Sequence, residues 1–394
     1  MTGQRNGTSR VDTAVADTVV VGGGPAGAAT ARALALSGCR VLLVEPGGGS
    51  GFRIGESVPP DLRPVLQRLE LLDGFLAERH DPCLGSVSCW GDDRPGYNDF
   101  LLNPNGHGWH LDRRRFDTFL REAATAAGAE IRYGARLTGT RETADGLHLT
   151  LSDPDGTTWT ALAGFAVDAT GLSARLARVM GARRRYDDRL ICLSATFNAD
   201  PDLPMARLTR LEAADCGWWY AARLPHGRLV VALTTDAATL RRLRLGEPEP
   251  WRRRLLRTDQ ISRLLPYWPT PDGLHRDAAP SARLDPVAGR RWLAVGDAAL
   301  AFDPIMSEGI HKALANGVAA AQVIGRLRAG DPDALAAYAR HVARRHRDYL
   351  DTRQQFYDLE RRWPQAPFWQ ARHSPAPPVP GPDVRAAGDA AARA

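Results

Sequence analysis

A glycine-rich turn near the N-terminus constrains the fold of this chain more than any other feature. The β-branched run from Thr18 to Val21 gives way to Gly22-x-Gly24-x-x-Gly27, and an alanine-rich helical stretch follows. In such a strand–turn–helix unit, Gly22 permits the turn, Gly24 lets the backbone approach a pyrophosphate, and Gly27 allows the helix to pack closely on the strand. Pro25 and Ala26 open the helix, whose unpaired N–H groups face the phosphates. The pattern predicts a Rossmann-like dinucleotide site.

An acid follows at the end of the next apolar run. Val41 to Val44 reads as a second strand and ends in Glu45, whose carboxylate can accept hydrogen bonds from ribose hydroxyls. The alternative is a glycine-rich surface turn without a ligand. The strand, helix and acid in register favour the dinucleotide.

Two distant segments supply the second half of the same site. An apolar run closes on Asp168-x-x-Gly171, the form of a strand end that returns to a dinucleotide, although an ordinary Asp/Gly turn is the alternative. A later strand ends in Gly296-Asp297, where a carboxylate can meet a ribityl hydroxyl. The helix that begins near Ile310 would point its N-terminal amides at a flavin ring and favour negative charge on the reduced form.

The ordered set of motifs resembles the FAD-dependent monooxygenase and halogenase superfamily, from about Asp17 to Trp369. The resemblance rests on the fingerprint, Glu45, Gly55-Glu56-Ser57, Arg113, Asp168-x-x-Gly171, Gly296-Asp297 and Phe302-x-Pro304-x-x-Ser307-x-Gly309. It implies FAD, reduced by NAD(P)H directly or by a partner flavin reductase. The implied FAD-binding residues are Gly22, Gly24, Pro25, Ala26, Gly27, Glu45, Arg53, Glu56, Ser57, Arg113, Asp168, Gly171, Gly296, Asp297, Pro304, Ser307, Gly309 and Ile310. For Arg113, a solvated helix start is the alternative.

Three further segments are similar to one branch of that superfamily, the maturation flavoproteins that hydroxylate a tryptophan side chain of a partner protein towards a quinone cofactor. These segments are Gly106–Arg113, Gly217–Tyr220 and Trp363–Trp369. The resemblance implies hydroxylation of an electron-rich aromatic ring through a flavin C4a-hydroperoxide, which needs a dry pocket. The substrate would be a peptide- or protein-borne tryptophan.

Candidate substrate and catalytic residues cluster in these segments and in the serine motif. Trp109, Trp218, Trp219 and Tyr220 are candidate pocket walls, with ordinary core packing as the alternative. His107 and His110 are candidate proton acceptors, with a structural role, the usual one for a lone histidine, as the alternative. Ser307 and Glu308 are catalytic candidates in the flavin-facing loop, where Glu308 can instead be a charge at a helix N-terminus.

Departures from tryptophan halogenases make halogenation the second hypothesis. Those enzymes carry a pocket lysine and a glutamate before the motif serine. Here the one lysine is Lys312, within the helix after the motif, and Met306 precedes Ser307. A non-catalytic flavin-binding subunit is the third hypothesis.

The expected architecture is α/β and discontinuous. A Rossmann-like FAD-binding domain of the glutathione-reductase type comprises residues 17–87, 111–182 and 283–326, with a small β-meander from Ile131 to Leu151. An interleaved antiparallel-sheet substrate domain comprises 88–110 and 183–282. A C-terminal helical segment covers 327–372, between a disordered N-terminus (1–16) and a disordered tail (373–394).

Composition limits the remaining choices. The net charge of +6 comes from arginines spread in short clusters without a nucleic-acid module, so we expect no nucleic-acid partner. No apolar run or leader pattern indicates a membrane or export, which favours the cytoplasm. The scattered cysteines indicate neither a disulfide framework nor a metal site.

Overall fold

The computed structural model describes residues 13–47, 54–199, 207–265 and 267–373. Its strands, in chain order, are β1 (Thr13–Val21), β2 (Val41–Glu45), β3 (Ser57–Val58), β4 (Asp81–Cys83), β5 (Gly85–Cys89), β6 (Gly96–Asp99), β7 (Gly108–His110), β8 (Glu130–Tyr133), β9 (Arg136–Glu142), β10 (Leu147–Ser152), β11 (Thr158–Asp168), β12 (Arg183–Tyr186), β13 (Leu190–Asn198), β14 (Leu208–Ala214), β15 (Gly217–Leu224), β16 (Arg228–Asp236), β17 (His275–Ala278), β18 (Ala282–Asp285), β19 (Ala288–Gly289), β20 (Trp292–Ala294) and β21 (Leu300–Ala301).

The α-helices of the described residues are α1 (Pro25–Leu36), α2 (Leu62–Arg68), α3 (Leu72–Ala77), α4 (Arg113–Ala126), α5 (Arg175–Val179), α6 (Ala237–Leu243), α7 (Pro248–Leu255), α8 (Gly309–Arg328), α9 (Ala334–Leu359) and α10 (Pro367–His373). Short helical turns lie at Gly171–Ser173, Pro225–Gly227, Ser262–Leu264, Gly296–Ala298 and Pro304–Met306.

A parallel sheet forms the first layer, in the order β20-β11-β1-β2-β8, with β19 antiparallel at one edge. Its inner strands β1, β2, β11 and β20 end in nearly continuous apolar runs because both faces are covered there, as is usual for parallel sheets, whereas the edge strand β8 is largely exposed. The carboxyl ends of β1, β2, β11 and β20 meet at one edge, where a ligand binds in folds of this class. This confirms the expected Rossmann-like α/β fold.

Two expected boundaries need correction. β1 begins at Thr13, so residues 13–16 belong to a strand, where they pair with Thr160–Ala163 of β11, instead of to a disordered terminus. Ile131 lies in β8, which extends the parallel sheet beside β2. The meander therefore consists of β9, β10 and the first half of β11. Residues 1–12 and 374–394 lie outside the described part of the chain.

Small residues let α8 pack directly on α1. A Cβ at Gly317 would lie 2.8 Å from the Thr30 amide nitrogen and 2.9 Å from Ala29 Cβ, so this contact is close to backbone on backbone. The alanine-rich composition of α1 serves the same approach. The contact fixes the N-terminus of α8 beside the glycine turn.

The second layer is a seven-stranded sheet in the order β17-β13-β16-β15-β14-β5-β6. Its members span the predicted substrate domain, except that β5 begins at Gly85 and β12 pairs with β18 in a separate small sheet. Both faces of its centre are buried. One face packs on α6 and α7 in an apolar core, and the other faces the parallel sheet.

Helix α9 fastens the two sheets to each other through one stripe of side chains. Tyr338 donates to the Ala294 carbonyl of the parallel sheet, at 2.6 Å. Further along, His346 contacts Asp187 at 2.8 Å and Arg353 pairs with Asp188 at 2.5 Å, on the segment that leads into β13. These three residues are eight and seven positions apart, about two helical turns each, so their side chains lie on one helix face.

Two further observations concern the chain as a whole. All five cysteines are free and buried. Among the helices of the described residues, we find none with the length and apolar character that crossing a membrane requires.

Candidate active site

A cavity of about 860 Å³ separates the carboxyl edge of the parallel sheet from the inner face of the seven-stranded sheet. This volume lies near the upper end for ligand sites. Residues from both halves of the chain line it. The sequence-predicted residues among them are Gly22, Gly24, Pro25, Ala26, Glu45, Glu56, Ser57, Arg113, Gly171, Trp218, Tyr220, Asp297, Pro304, Ser307, Gly309 and Ile310.

The glycine turn forms the floor at one end. Gly22 has a φ of +106°, and a Cβ there would lie 2.4 Å from the Ala169 carbonyl oxygen. A Cβ at Gly27 would lie 1.7 Å from the Gly22 carbonyl oxygen, so Gly27 serves helix–strand packing and does not reach the cavity. By contrast, a Cβ at Gly24 would project into open space with no atom within 4 Å. The turn is therefore a bare backbone cradle with room for a diphosphate.

Glu45 is held against this turn. One carboxylate oxygen accepts a 2.6 Å hydrogen bond from the Gly23 amide, and the other accepts from the Gly47 amide at 3.2 Å. Its side chain lines the cavity beside the turn. These contacts fix an acceptor at the end of β2, where a ribose would lie.

Arg113 also lines the cavity and is tied to the loop before β3. Its guanidinium donates to the Ile54 carbonyl at 2.8 Å and pairs with Asp117 at 3.2 Å. The Asp112 carboxylate caps this helix by accepting from the Arg115 amide at 3.1 Å. Arg53 lies outside the described residues.

Asp168 does not reach the cavity, contrary to expectation. Its carboxylate accepts from Thr170 N and Oγ1 at 2.9 and 2.6 Å, and from the Ala177 amide at 2.8 Å. Burial raises the pKa of Asp168, and these donors partly offset the shift. The Asp168 carboxylate therefore stabilises the turn that follows β11. The cavity is lined there by the next three residues, Ala169, Thr170 and Gly171.

Lys312 fastens the Gly296–Asp297 turn to α8. Its ammonium donates to Asp297 at 2.8 Å and to the Leu300 carbonyl, and it lies 4.2 Å from the centre of the Phe302 ring. A Cβ at Gly296 would lie 2.7 Å from Ala26 Cβ, so this glycine packs against α1 outside the cavity. The chain's one lysine is thus buried in a structural contact.

The serine motif turns tightly into α8. Ser307 has a φ of +50°, and Ser307, Gly309 and Ile310 all line the cavity. Glu308 does not line it, because its carboxylate accepts from Arg345 of α9 at 3.2 Å. This corrects the expectation that Glu308 is catalytic.

A buried network connects the motif loop to the substrate sheet. Tyr357 of α9 donates to Asp303 at 2.7 Å and accepts from Trp218 Nε1 at 3.1 Å. The Asp303 amide donates to the Tyr349 hydroxyl at 2.7 Å. Burial raises the pKa of Asp303 to about 6, the nearby charge of Asp188 adds to the shift, and the Tyr357 hydroxyl opposes it. The network sets the orientation of the Trp218 ring.

One face of the seven-stranded sheet forms the other end of the cavity. Two rows of cross-strand neighbours lie on this face. The first row runs across β17, β13, β16 and β15 and consists of Asp277, Cys192, Thr234 and Trp218. The second row consists of Ala232 of β16 and Tyr220 of β15. All six line the cavity. Successive residues of a strand point to opposite faces, so a row on one face is shared across strands.

The same alternation removes Trp219 from the cavity. It points to the far side of β15, where it is fully buried against Trp251 with ring centres 5.0 Å apart. Trp109 is likewise buried in another core, between Phe75 and the Arg63 guanidinium. Both expectations of a pocket wall are therefore corrected.

Neither predicted histidine touches the cavity. His110 reaches it only through a chain of hydrogen bonds: its Nε2 contacts Thr209 Oγ1 at 3.1 Å, Thr209 contacts Ser57 at 2.8 Å, and Ser57 contacts the Tyr220 hydroxyl at 2.8 Å. Burial lowers the pKa of His110 to about 4. His107 stacks edge-on against Trp109 and contacts the Gly108 carbonyl at 2.8 Å.

Several residues that line the cavity belong to no sequence motif, and the sequence analysis did not predict them. Cys192, Thr234 and Asp277 occupy a single face of alternating strands, a signal that the sequence contained but that needed the pairing of β13, β16 and β17 to become visible. Burial raises the pKa of the Cys192 thiol to about 12, so it is a neutral wall.

Comparison with known proteins places the chain in a family. Residues 17–268 match the FAD-dependent oxidoreductase family. LodB of Marinomonas mediterranea, named as a FAD-dependent oxidoreductase, is 31% identical over 361 residues, which span 91% of this chain and 97% of LodB.

Two solved structures are similar over nearly the whole chain. The peptidyl tryptophan dihydroxylase QhpG, essential for tryptophylquinone cofactor biogenesis, aligns with a TM-score of 0.75 and 27% identity over 92% of this chain and 79% of QhpG. The myxobacterial chondrochloren halogenase CndH aligns with a TM-score of 0.83 over 96% of this chain and 89% of CndH, and at 23% identity this likeness concerns the fold alone.

Proposed function

The chain belongs to the FAD-dependent oxidoreductase family, and we propose that within it this protein is a monooxygenase that hydroxylates an electron-rich aromatic ring. The ring is a tryptophan side chain carried by a peptide or a protein. The likeness to QhpG, which acts on a peptidyl tryptophan, supports this choice of substrate.

One observation carries the proposal: a single cavity joins the glycine cradle to an aromatic wall. Gly24 leaves open space at one end, and Trp218, Tyr220 and Phe302 line the other. Aromatic faces of this kind hold a planar ring by stacking and edge contacts. A dinucleotide laid along the cradle would therefore bring its reactive end to the ring that the wall holds.

Different residues of the cavity would hold the different parts of FAD. The Gly22–Gly24 backbone and the start of α1 would hold the diphosphate, and Glu45 would accept from a ribose. Asp297 would accept from the ribityl chain, and the N-terminal amides of α8 at Gly309 and Ile310 would stabilise negative charge on the reduced flavin. Bound FAD, once reduced, supplies the activation of dioxygen.

The protein's own contribution is positioning and the exclusion of water. The Tyr357–Asp303 pair holds Trp218 at one angle, and the Ser57–Thr209–His110 chain holds the Tyr220 hydroxyl. Fixed groups of this kind lower the barrier because the ring is already oriented when it reacts. His110 is accordingly a positioning residue.

Halogenation remains the second candidate, since relatives of this fold carry it out. The burial of Lys312 against Asp297 and Phe302 argues for hydroxylation, because a hypohalous species would need an accessible amine to capture or direct it. A non-catalytic flavin-binding subunit is the third.

The test is a reaction with a defined reductant. FAD-loaded protein is reduced photochemically, so the outcome does not depend on whether NAD(P)H or a partner reductase serves in the cell. It is then mixed with air, excess bromide and acetylated glycyl-tryptophyl-glycine amide, and the product is analysed by mass spectrometry. Added oxygen supports the proposal.

Three other outcomes count against it. A brominated peptide would assign the protein to the halogenases. If the flavin is reoxidised with hydrogen peroxide as the sole product, the proposal that the protein hydroxylates tryptophan is wrong. If the protein takes up no FAD, the proposal of any flavin-dependent reaction is wrong. Heat-denatured protein with free FAD is the matched blank.

A further inference from the structure

Glu56 is a buried carboxyl whose hydrogen-bonding capacity is only half used. Its side chain lines the cavity and is 1% exposed. One oxygen, Oε2, accepts from the Gly55 amide at 2.9 Å. The other, Oε1, has no hydrogen-bond partner within the described part of the chain. Such a group costs free energy unless a ligand completes it.

The surroundings place this oxygen at the substrate end. Ser57, the next residue, contacts the Tyr220 hydroxyl at 2.8 Å. Burial raises the pKa values of both Tyr220 and Cys192, which lie on the inner face of the seven-stranded sheet, and the nearby charge of Glu56 adds to both shifts. Glu56 therefore lies near the wall formed by Tyr220 and Cys192, the same face of the sheet on which Trp218 lines the cavity.

The positive charges near Glu56 do not fully offset the effect of its burial. Arg113 of α4 and Arg228 of β16 both favour its ionised form, but burial outweighs them and raises the pKa of Glu56 to about 7. Arg113 is already engaged with Asp117 and the Ile54 carbonyl. Near neutral pH the carboxyl is therefore partly ionised, and its unpaired Oε1 can accept a hydrogen bond from a ligand, most strongly in the ionised form.

We propose that Glu56 Oε1 accepts the ring N–H of the substrate indole and so makes the site selective for an aromatic ring that carries a hydrogen-bond donor. The proposal rests on the proposed function and specifies how its substrate is recognised. An indole nitrogen is a donor only, and a lone carboxylate oxygen is its natural complement.

The same contact assists the reaction. When an oxygen atom adds to an indole carbon, the ring becomes cationic and its N–H becomes more acidic. A carboxylate at that N–H stabilises the positive charge, and the proton displaced from the ring carbon leaves to solvent as the C–O bond is completed. The ring supplies the electron pair of the new C–O bond, dioxygen supplies the oxygen atom, and the reduced flavin would supply two electrons and two protons, with which the second oxygen atom leaves as water.

Binding to the oxidised FAD enzyme tests the contact without turnover. Three acetylated glycyl-X-glycine amides serve as probes, in which X is tryptophan, its N1-methyl derivative, or the benzothiophene analogue, where sulfur replaces the N–H. Flavin absorbance changes or NMR report their dissociation constants. The wild-type protein should prefer tryptophan by roughly tenfold or more, the effect of one hydrogen bond to a charged group.

Two variants separate recognition from folding. Glu56→Gln should keep its FAD and lose most of the preference, and Glu308→Gln, a carboxylate bonded to Arg345 outside the cavity, should keep both. The preference should also grow as the pH rises through the pKa of Glu56, since ionisation strengthens the acceptor, and this growth should vanish in Glu56→Gln.

Other results overturn the proposal. Equal binding of the three peptides by the wild type would do so, as would no binding at millimolar concentration or tighter binding of a tyrosine peptide. Loss of FAD from Glu56→Gln would assign the carboxyl to the cofactor instead. If the protein binds the indole peptide selectively but forms no oxygenated product, the proposed function is wrong, whereas the proposed contact between Glu56 and the indole N–H is supported.

Discussion

Tyr357→Phe should destabilise the protein far more than a single lost hydroxyl suggests. That hydroxyl accepts from Trp218 Nε1 at 3.1 Å and donates to Asp303 at 2.7 Å, and all three groups are buried. Its removal leaves the indole N–H without its acceptor, at about 1–3 kcal/mol, and takes a donor worth about 1.5–3 kcal/mol from a charged carboxylate. We expect a loss of roughly 3–5 kcal/mol when Asp303 is ionised.

The loss should depend on pH, with a definite sign. Burial raises the pKa of Asp303 to about 6, so this group contributes stability at low pH and loses it as the pH rises through that value. The Tyr357 hydroxyl opposes this shift, and its removal makes ionisation still more costly. The destabilisation should therefore shrink to roughly 2 kcal/mol well below the pKa, where Asp303 is protonated.

Urea titration of the FAD-loaded protein, at fixed FAD concentration, measures both quantities. Tyr338→Phe is the matched control on the same helix, because that hydroxyl makes a single 2.6 Å bond to the Ala294 carbonyl and its removal should cost about 1 kcal/mol. If Tyr357→Phe lowers the free energy of unfolding by no more than the control does, or by an amount that does not change with pH, the hydrogen bonds from Tyr357 to Asp303 and Trp218 do not stabilise the protein as described.

Three other changes test separate parts of the site. Gly24→Asp should abolish FAD retention, because a carboxylate would occupy the diphosphate cradle, and a yellow protein with the normal ratio of flavin to protein absorbance would contradict this. Trp218→Phe should raise the share of oxygen released as peroxide severalfold in a coupled peroxide assay, whereas Trp219→Phe, on the far face of β15, should leave it unchanged; an equal rise in both would disprove the assigned faces. Lys312→Met should lower the free energy of unfolding by roughly 1–3 kcal/mol in urea, since half-exposed Asp297 loses its buried partner, and an unchanged value would mean that the pair has no structural role.

Local spacing was enough to predict the cofactor half of the fold. The turn from Gly22 to Gly27 and the acid at Glu45 belong to one strand–turn–helix–strand unit, so their geometry follows from a short stretch of chain. The position of Gly296-Asp297 was predicted because it ends a strand of the same sheet. Lys312 was noticed by its rarity, but its contact with Asp297 depends on how α8 folds back.

The substrate half could not be predicted in the same way, because strand faces depend on tertiary packing. Trp218 and Trp219 are adjacent in sequence and equally aromatic, yet the sheet turns one to the cavity and the other to the core around Trp251. A strand of period two identifies which residues share a face but not which face meets the ligand.

Acids and histidines were misassigned for a related reason. His110 and Asp168 have the chemistry of functional groups, but both are satisfied inside the protein, by Thr209 and by the turn at Thr170 respectively. Asp303 received no predicted role, since its partner Tyr357 lies on a distant helix. Proximity across the fold, and not residue type, decided these roles.

We interpret the cavity as one that would hold FAD and deliver an oxygen atom from dioxygen to an indole ring held beside Trp218 and Tyr220. The most direct measurement is a single turnover of the reduced FAD-loaded protein with a tryptophan peptide under isotopically heavy dioxygen, followed by mass spectrometry of the peptide. We expect the heavy isotope to enter the indole ring. Oxygen derived from water, or an unmodified peptide beside fully reoxidised flavin, would contradict it.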